Sequence, residues 1–249
     1  ITPPVGCASI RCHYLQCGFA VVMQRSVEPE LMDDPLQVLA YAQADFRATD
    51  QALVDRLVEL FGEALGDGPG PRLVDLGCGP GNISFGLAER FPQASVLGLD
   101  GAAAMLEVAE RELAQRALGC PGLADRLRFA QVLLGPETLP YGGFTAVVSN
   151  SLLHHLHDPQ ALWRHLRQLA APGAAVYIKD LRRPATPEAA LALQQLHLAA
   201  APAVLQRDYL ASLHAAFEPA EVEAQLRVAG LPVGEHGLRV AALDDRYLE

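Results

Sequence analysis

Between Asp33 and Leu65 the apolar positions fall at helical spacing. Asp33-Asp34-Pro35 offers an N-cap and a first-turn proline, which predicts a helix through about Phe46. Leu53, Leu57, Leu60 and Phe61 make one stripe of a second helix, from about Asp50 to Leu65. Gly66-Asp67-Gly68-Pro69-Gly70-Pro71 then breaks the chain. Beyond it the period changes. Short apolar runs near 72–76, 95–99, 127–132, 144–149 and 174–179 read as buried strands, with helical patterns near 82–91, 101–118 and 158–170. This alternation predicts right-handed βαβ units and a mostly parallel sheet with helices on both faces. Residues 186–229 are Ala- and Leu-rich helix cut by Pro202 and Pro219, and β character returns at Leu231–Val233 and Gly237–Leu243. The expected architecture is therefore α/β and doubly wound, with seven strands, helices at the N-terminal side, and a helical insertion before the last strands.

Composition and charge narrow the functions open to such a fold. Hydrophobic residues form 51% of the chain, enough for a sizeable core, and the net charge is −10 with no Lys/Arg cluster, which argues against a nucleic-acid surface. The longest uncharged apolar run, Leu169–Ile178, contains Pro172 and Gly173 and is too short to span a membrane. No membrane partner is expected, and the oligomeric state is not readable. Five cysteines, an odd number without a disulfide framework, suggest reduced thiols and a cytoplasmic protein. Cys7, Cys12 and Cys17 sit five apart beside His13, without the tight pairs of a zinc knuckle. Residue 1 is Ile and the first methionine is Met23, so residues 1–22 are read as upstream sequence or a loosely attached arm.

The chemistry is concentrated in Leu73-Val74-Asp75-Leu76-Gly77-Cys78-Gly79-Pro80-Gly81-Asn82, a strand that turns through three glycines into a helix. Glycines let the backbone pass close to a ligand where a Cβ would collide. The spacing is G-x-G-x-G, not the G-x-G-x-x-G of a dinucleotide fold, and Asp75 beside the loop disfavours a phosphate. The next strand ends at Asp100, where a carboxylate can accept both hydroxyls of a ribose. These features describe a pocket for a nucleoside with a cationic tail.

Together the motifs resemble the class I S-adenosylmethionine-dependent methyltransferases, of the type 11 small-molecule group. The resemblance implies a Rossmann-like fold, S-adenosylmethionine as cofactor, and transfer of a methyl group to an O, N or S atom of a small-molecule acceptor. It implies a single methyltransferase domain over 23–249, with cap helices about 33–66, a cofactor-binding core about 72–180, the insertion about 186–229 and terminal strands about 231–243. Carried over, Asp75, Gly77, Gly79 and Gly81 would line the amino-acid part of the cofactor, with Cys78 and Asn82 in the same loop. Asp100 would hold the ribose, Gly101 and Met105 would lie near the adenine, and Asn150 would border the methionine moiety. The family places an Asp before the Leu-Pro preceding strand four; Gly135 stands there, so adenine-contacting side chains are not assigned.

On the acceptor side, strand four leads into Asn150-Ser151-Leu152-Leu153-His154-His155-Leu156-His157-Asp158-Pro159. His154 or His155 is a candidate general base, and Asp180, at the end of strand five, a second base or orienting group. His-His-x-His in a loop shows no common face and no partnering carboxylate, so no metal is assigned. Tyr41 in the N-terminal helix is a candidate lid residue, while Arg182 and Tyr209 are candidate acceptor contacts. Two other readings stand beside this one: a cofactor-binding pseudoenzyme or scaffold, and a nucleic-acid methyltransferase, disfavoured by Asn150-Ser151-Leu152-Leu153 and the acidic charge.

Overall fold

The structure, a computed structural model, describes residues 23–62, 65, 70–235 and 237–249. Residues 1–22, with Cys7, Cys12, His13 and Cys17, lie outside the described residues, and so does their reading as upstream sequence or an arm. The first half of the described chain runs α1 (Pro35–Gln43), α2 (Arg47–Phe61), β1 (Arg72–Leu76), α3 (Asn82–Arg90), β2 (Ser95–Asp100), α4 (Ala103–Gly119), α5 (Leu123–Arg126) and β3 (Leu127–Gln131). The second half runs β4 (Phe144–Asn150), α6 (Gln160–Leu169), β5 (Ala170–Leu181), α7 (Pro187–Leu198), α8 (Ala203–Ala215), α9 (Pro219–Val228) and β6 (Tyr247–Leu248). Asp34 caps α1 as its sequence suggests, its carboxylate accepting from the Leu36 and Gln37 amides.

The strands lie in the order β3-β2-β1-β4-β5-β6, with β1 to β5 parallel and β6 antiparallel to β5. From β1 the chain winds out to β3, then crosses to β4 on the other side. The carboxyl ends of β1 and β4 therefore part at a topological switch point, where open α/β sheets receive ligands. Among the described residues this is a Rossmann-like α/β fold with a mixed sheet of six strands, against the seven expected. The stretch 231–243, among the described residues, forms only the isolated bridges Val233↔Leu238 and Ala242↔Leu248. Residues 232–238 close on themselves, through Leu238 N to Pro232 O (2.8 Å) and Gly234 N to Leu238 O (2.9 Å), while Ala241 and Leu243 bond to Glu249 and Tyr247 and β6 completes the sheet edge.

Period-2 alternation divides the sheet between two cores. Leu73, Ala146, Val148 and Tyr177 pack toward α2 and α3, and Val74, Leu76 and Val147 toward α6 and α9 around Trp163. A smaller cluster joins Met23 and Leu181 to Leu193 of α7 and Leu213 of α8. The segment entering this cluster is fixed by Arg25, which donates to the carbonyls of Ala215 (2.6 Å), His154 (3.1 Å) and Leu156 (3.0 Å). Its guanidinium also lies 4.0 Å from the Phe217 ring centroid. Residues 23–32 thereby pass between α8 and the loop after β4. Among the described residues no helix is long and apolar enough to cross a membrane.

Candidate active site

The glycine loop is folded back on β2. Gly77 N and Cys78 N both donate to Leu99 O, at 2.8 and 3.1 Å. One Asp100 carboxylate oxygen accepts from Gly79 N at 2.7 Å and the other from Ala102 N at 2.8 Å. Asp100 thus organises the loop while lining the cavity above it, and burial raises its pKa. Gly77 has φ +71°, and a Cβ there would stand 2.9 Å from both Cβ and Cδ1 of Leu152. Gly77→Ala combines left-handed strain with overpacking and is expected to cost about 2–4 kcal/mol. Denaturant unfolding checks this; an unchanged midpoint would show that Leu152 yields freely.

The first cavity holds about 350 Å³ at the switch point. Gly77, Cys78, Gly79, Asn82, Asp100, Gly101, Met105 and Asn150 line it, so eight of the ten residues expected for the cofactor converge there. Two do not. Asp75 shares a face of β1 with Leu73, so it points toward α3 and accepts from Ser84 Oγ at 2.7 Å. It is 1% exposed, and burial pushes its carboxyl up to about 7. Gly81 also faces away, its Cβ direction meeting Phe129 at 2.8 Å. The Cys78 thiol is buried and its pKa raised well above the ordinary value by desolvation and then by Asp75, which suits a filler rather than a nucleophile.

Sequence reasoning missed three charged groups of this cavity, Glu30, Asp50 and Lys179. Asp50 of α2 accepts from Asn82 Nδ2 at 3.1 Å, and burial pushes it up to about 6. Lys179 of β5 stands 4.1 Å from the Tyr247 ring centroid, with its pKa lowered by burial and then by Arg246. Each influences the other electrostatically. Near Gly135 the wall is made by Val132, Leu133 and Leu134, with no acidic side chain from that stretch.

A second cavity of about 570 Å³ shares Tyr41, Phe46, Ser151, His155 and Tyr247 with the first. Tyr41 packs at a tilt against Phe46 with a centroid distance of 5.0 Å, and Tyr209 also lines this cavity; burial raises the pKa of both phenols. His154 and His155 lie on one 3-10 turn, Leu153–His155, with ring centroids 4.2 Å apart. Asp180 lines neither cavity: it accepts from Leu153 N at 2.6 Å and binds Nδ1 of His154, which fixes that ring. Burial lowers the His154 pKa, but the Asp180 charge and hydrogen bond outweigh it, so the net shift is upward. His155 is driven well down by burial and then by His154. Arg182 reaches neither cavity and donates instead to Asp244 O at 3.2 Å, because the edge formed by β6 occupies that side. Glu28, which no motif flagged, enters between the histidines and Ser212 of α8, and desolvation raises its carboxyl.

These features can be set beside known proteins. Residues 74–176 match the family model described as a methyltransferase domain. Trans-aconitate 2-methyltransferase of Methylobacterium radiotolerans is 39% identical over 110 residues, 44% of this chain and 38% of that protein. Phosphoethanolamine N-methyltransferase 1 of Arabidopsis thaliana is 32% identical over 130 residues, 52% of this chain and 25% of that protein. The matches thus span well under half the length of these curated relatives. A crystal structure of a SAM dependent methyltransferase from Aquifex aeolicus superposes with a TM-score of 0.60 at 17% identity, covering 86% of this chain and 95% of that one. The matched model and the likeness in fold agree with the motifs: residues 74–176 are similar to a methyltransferase domain, and the fold is like that of a SAM dependent methyltransferase.

Proposed function

We propose that the chain transfers a methyl group from S-adenosylmethionine to an O, N or S atom of a small molecule seated in the second cavity. The observation that supports this most directly is the common wall: Tyr41, Phe46, Ser151, His155 and Tyr247 border both cavities, so occupants of the two meet there. In this reading Asp100 takes the ribose hydroxyls, and Met105 with residues 132–134 flanks the adenine. Asp50 and Lys179 offer opposite charges to an amino acid's ammonium and carboxylate, which gives the pocket the complement that Asp75 does not.

When bound, the cofactor supplies a methyl group already activated by its sulfonium. The residues of this chain then align and exclude water, which accounts for several kcal/mol of barrier reduction. Tyr41 and Tyr247 hold the junction between the cavities, and Tyr209 closes the acceptor side. The cluster around His154 and His155, with Asp180 fixing the His154 ring, makes the acceptor's lone pair available. Residues 23–249 act as one domain in this account, and the protein is proposed to be cytoplasmic. The relatives are named for trans-aconitate and phosphoethanolamine, so their names fix no acceptor atom here.

Titration calorimetry with S-adenosylhomocysteine, followed by turnover on a panel of phenols, amines, thiols and carboxylic acids, tests the proposal. Saturable binding and methylation of at least one class are expected. Binding without turnover on an extended metabolite extract would assign the pseudoenzyme reading instead, and absence of binding would remove the cofactor site altogether.

A further inference from the structure

We propose that Glu28, His154 and His155 form a binding site for a divalent transition-metal cation, zinc being the best match, on the wall of the second cavity. One donor atom from each residue lies within 4.8 Å of the others. Glu28 Oε1 stands 3.6 Å from His154 Nε2 and 3.2 Å from His155 Nδ1. Zinc bonds of about 2.0–2.2 Å in tetrahedral geometry place neighbouring donors about 3.2–3.6 Å apart. Both contacts fall in that window.

Two further observations point to a missing ligand. Glu28 Oε1 and His155 Nδ1 are both buried without a hydrogen-bond partner, although they lie 3.2 Å apart. Leaving two such buried groups unsatisfied is unfavourable, and one cation would satisfy both. The surroundings also orient the donors. Asp180 holds Nδ1 of His154, which turns Nε2 toward Glu28, the carboxylate–histidine–metal arrangement of many zinc sites. Ser212 Oγ, at 3.3 Å, holds the other Glu28 oxygen and leaves Oε1 to the histidines. The side chains are 9%, 3% and 13% exposed for Glu28, His154 and His155, so this is an interior site built from three separate parts of the chain.

The donor set has chemical meaning. Two imidazoles and one carboxylate are the three-ligand pattern of catalytic zinc, in which a fourth position stays open. Here that position faces the second cavity, which all three residues line. If that cavity is the acceptor site, a consequence that rests on the function proposed above, an acceptor hydroxyl or thiol would be polarised there and its pKa lowered. Its proton would pass to solvent water, and the histidines would serve as ligands rather than as the base. The cation binding itself does not depend on that reading.

The test uses the untagged full chain, stripped with a chelator and titrated with cobalt(II), whose visible d–d bands report tetrahedral coordination. One cobalt per chain, displaced by zinc, is expected. Glu28→Gln should weaken cobalt binding by about 100-fold or more, and Asp180→Asn by about 10- to 100-fold. His155→Gln is the second ligand variant should Glu28→Gln fold poorly. S-adenosylhomocysteine binding is measured in parallel and should be unchanged in Glu28→Gln, since Glu28 does not line the first cavity. Substoichiometric cobalt in the wild type, or equal binding by the ligand variants, overturns the metal site. Loss of S-adenosylhomocysteine binding with cobalt binding retained would instead overturn the cofactor assignment and leave the metal site standing.

Discussion

Asp100→Ala is expected to weaken S-adenosylhomocysteine binding by about 100-fold or more while the protein stays folded. The carboxylate accepts Gly79 N and Ala102 N at 2.7 and 2.8 Å and faces the first cavity. Hydrogen bonds to a charged group contribute about 1.5–3 kcal/mol each, and tenfold in affinity corresponds to about 1.4 kcal/mol. Alanine removes both backbone contacts and the proposed ribose acceptor at once, so the loop must be ordered by the ligand alone. Asp100→Asn should be nearly as damaging, because its NH2 group must meet one of two backbone N–H donors. Calorimetry measures the loss directly. An affinity within threefold of the wild type would show that the ribose is held elsewhere.

The sequence made the cofactor side more legible than the acceptor side, for identifiable reasons. Glycines at 77 and 79 and the acid at 100 belong to strand ends, where local spacing dictates placement, and they converge on one cavity. Asp75 belongs to the same motif, yet its direction follows from strand alternation with Leu73, which the motif alone does not express. Arg182 failed for a related reason: β6, formed by residues far along the chain, decides which side of β5 is free. Glu28 had no local signal at all. It lies in an irregular segment, and only the anchoring of Arg25 on Ala215, His154 and Leu156 brings it to the histidines. The terminal stretch 231–243 carries β-type residues, but residues 232–238 bond within their own turn and Ala241 and Leu243 bond to Glu249 and Tyr247, so it is β6 and not this stretch that pairs with β5.

Asp75 and Asp100, alike in the sequence, should separate when each is replaced. Asp75 is 1% exposed, and its carboxyl is pushed up to about 7, chiefly by burial, against an ordinary 3.8. An acid whose folded pKa lies above its unfolded pKa takes up a proton on folding, so stability is lost as pH rises from about 4 toward 7 and levels off above. Between about pH 5 and 8 this group alone should remove about 3 kcal/mol from the unfolding free energy of the ligand-free protein. Asp50, Asp100 and Glu28 are also raised, and they contribute in the same direction. Asp75→Asn keeps an acceptor for Ser84 Oγ and removes the charge, so the variant should lose less stability than the wild type over that range. Denaturant unfolding at both pH values gives the comparison, with each chain as its own reference. If wild-type stability rises with pH, or if the variant falls just as steeply, Asp75 ionises freely in the folded state and the burial argument fails. S-adenosylhomocysteine affinity should change far less in Asp75→Asn than in Asp100→Ala, because Asp75 lies behind the glycine loop while Asp100 stands on the cavity side. The first acid then acts through the folding equilibrium and the second through the ligand, and one titration series on two variants separates the roles.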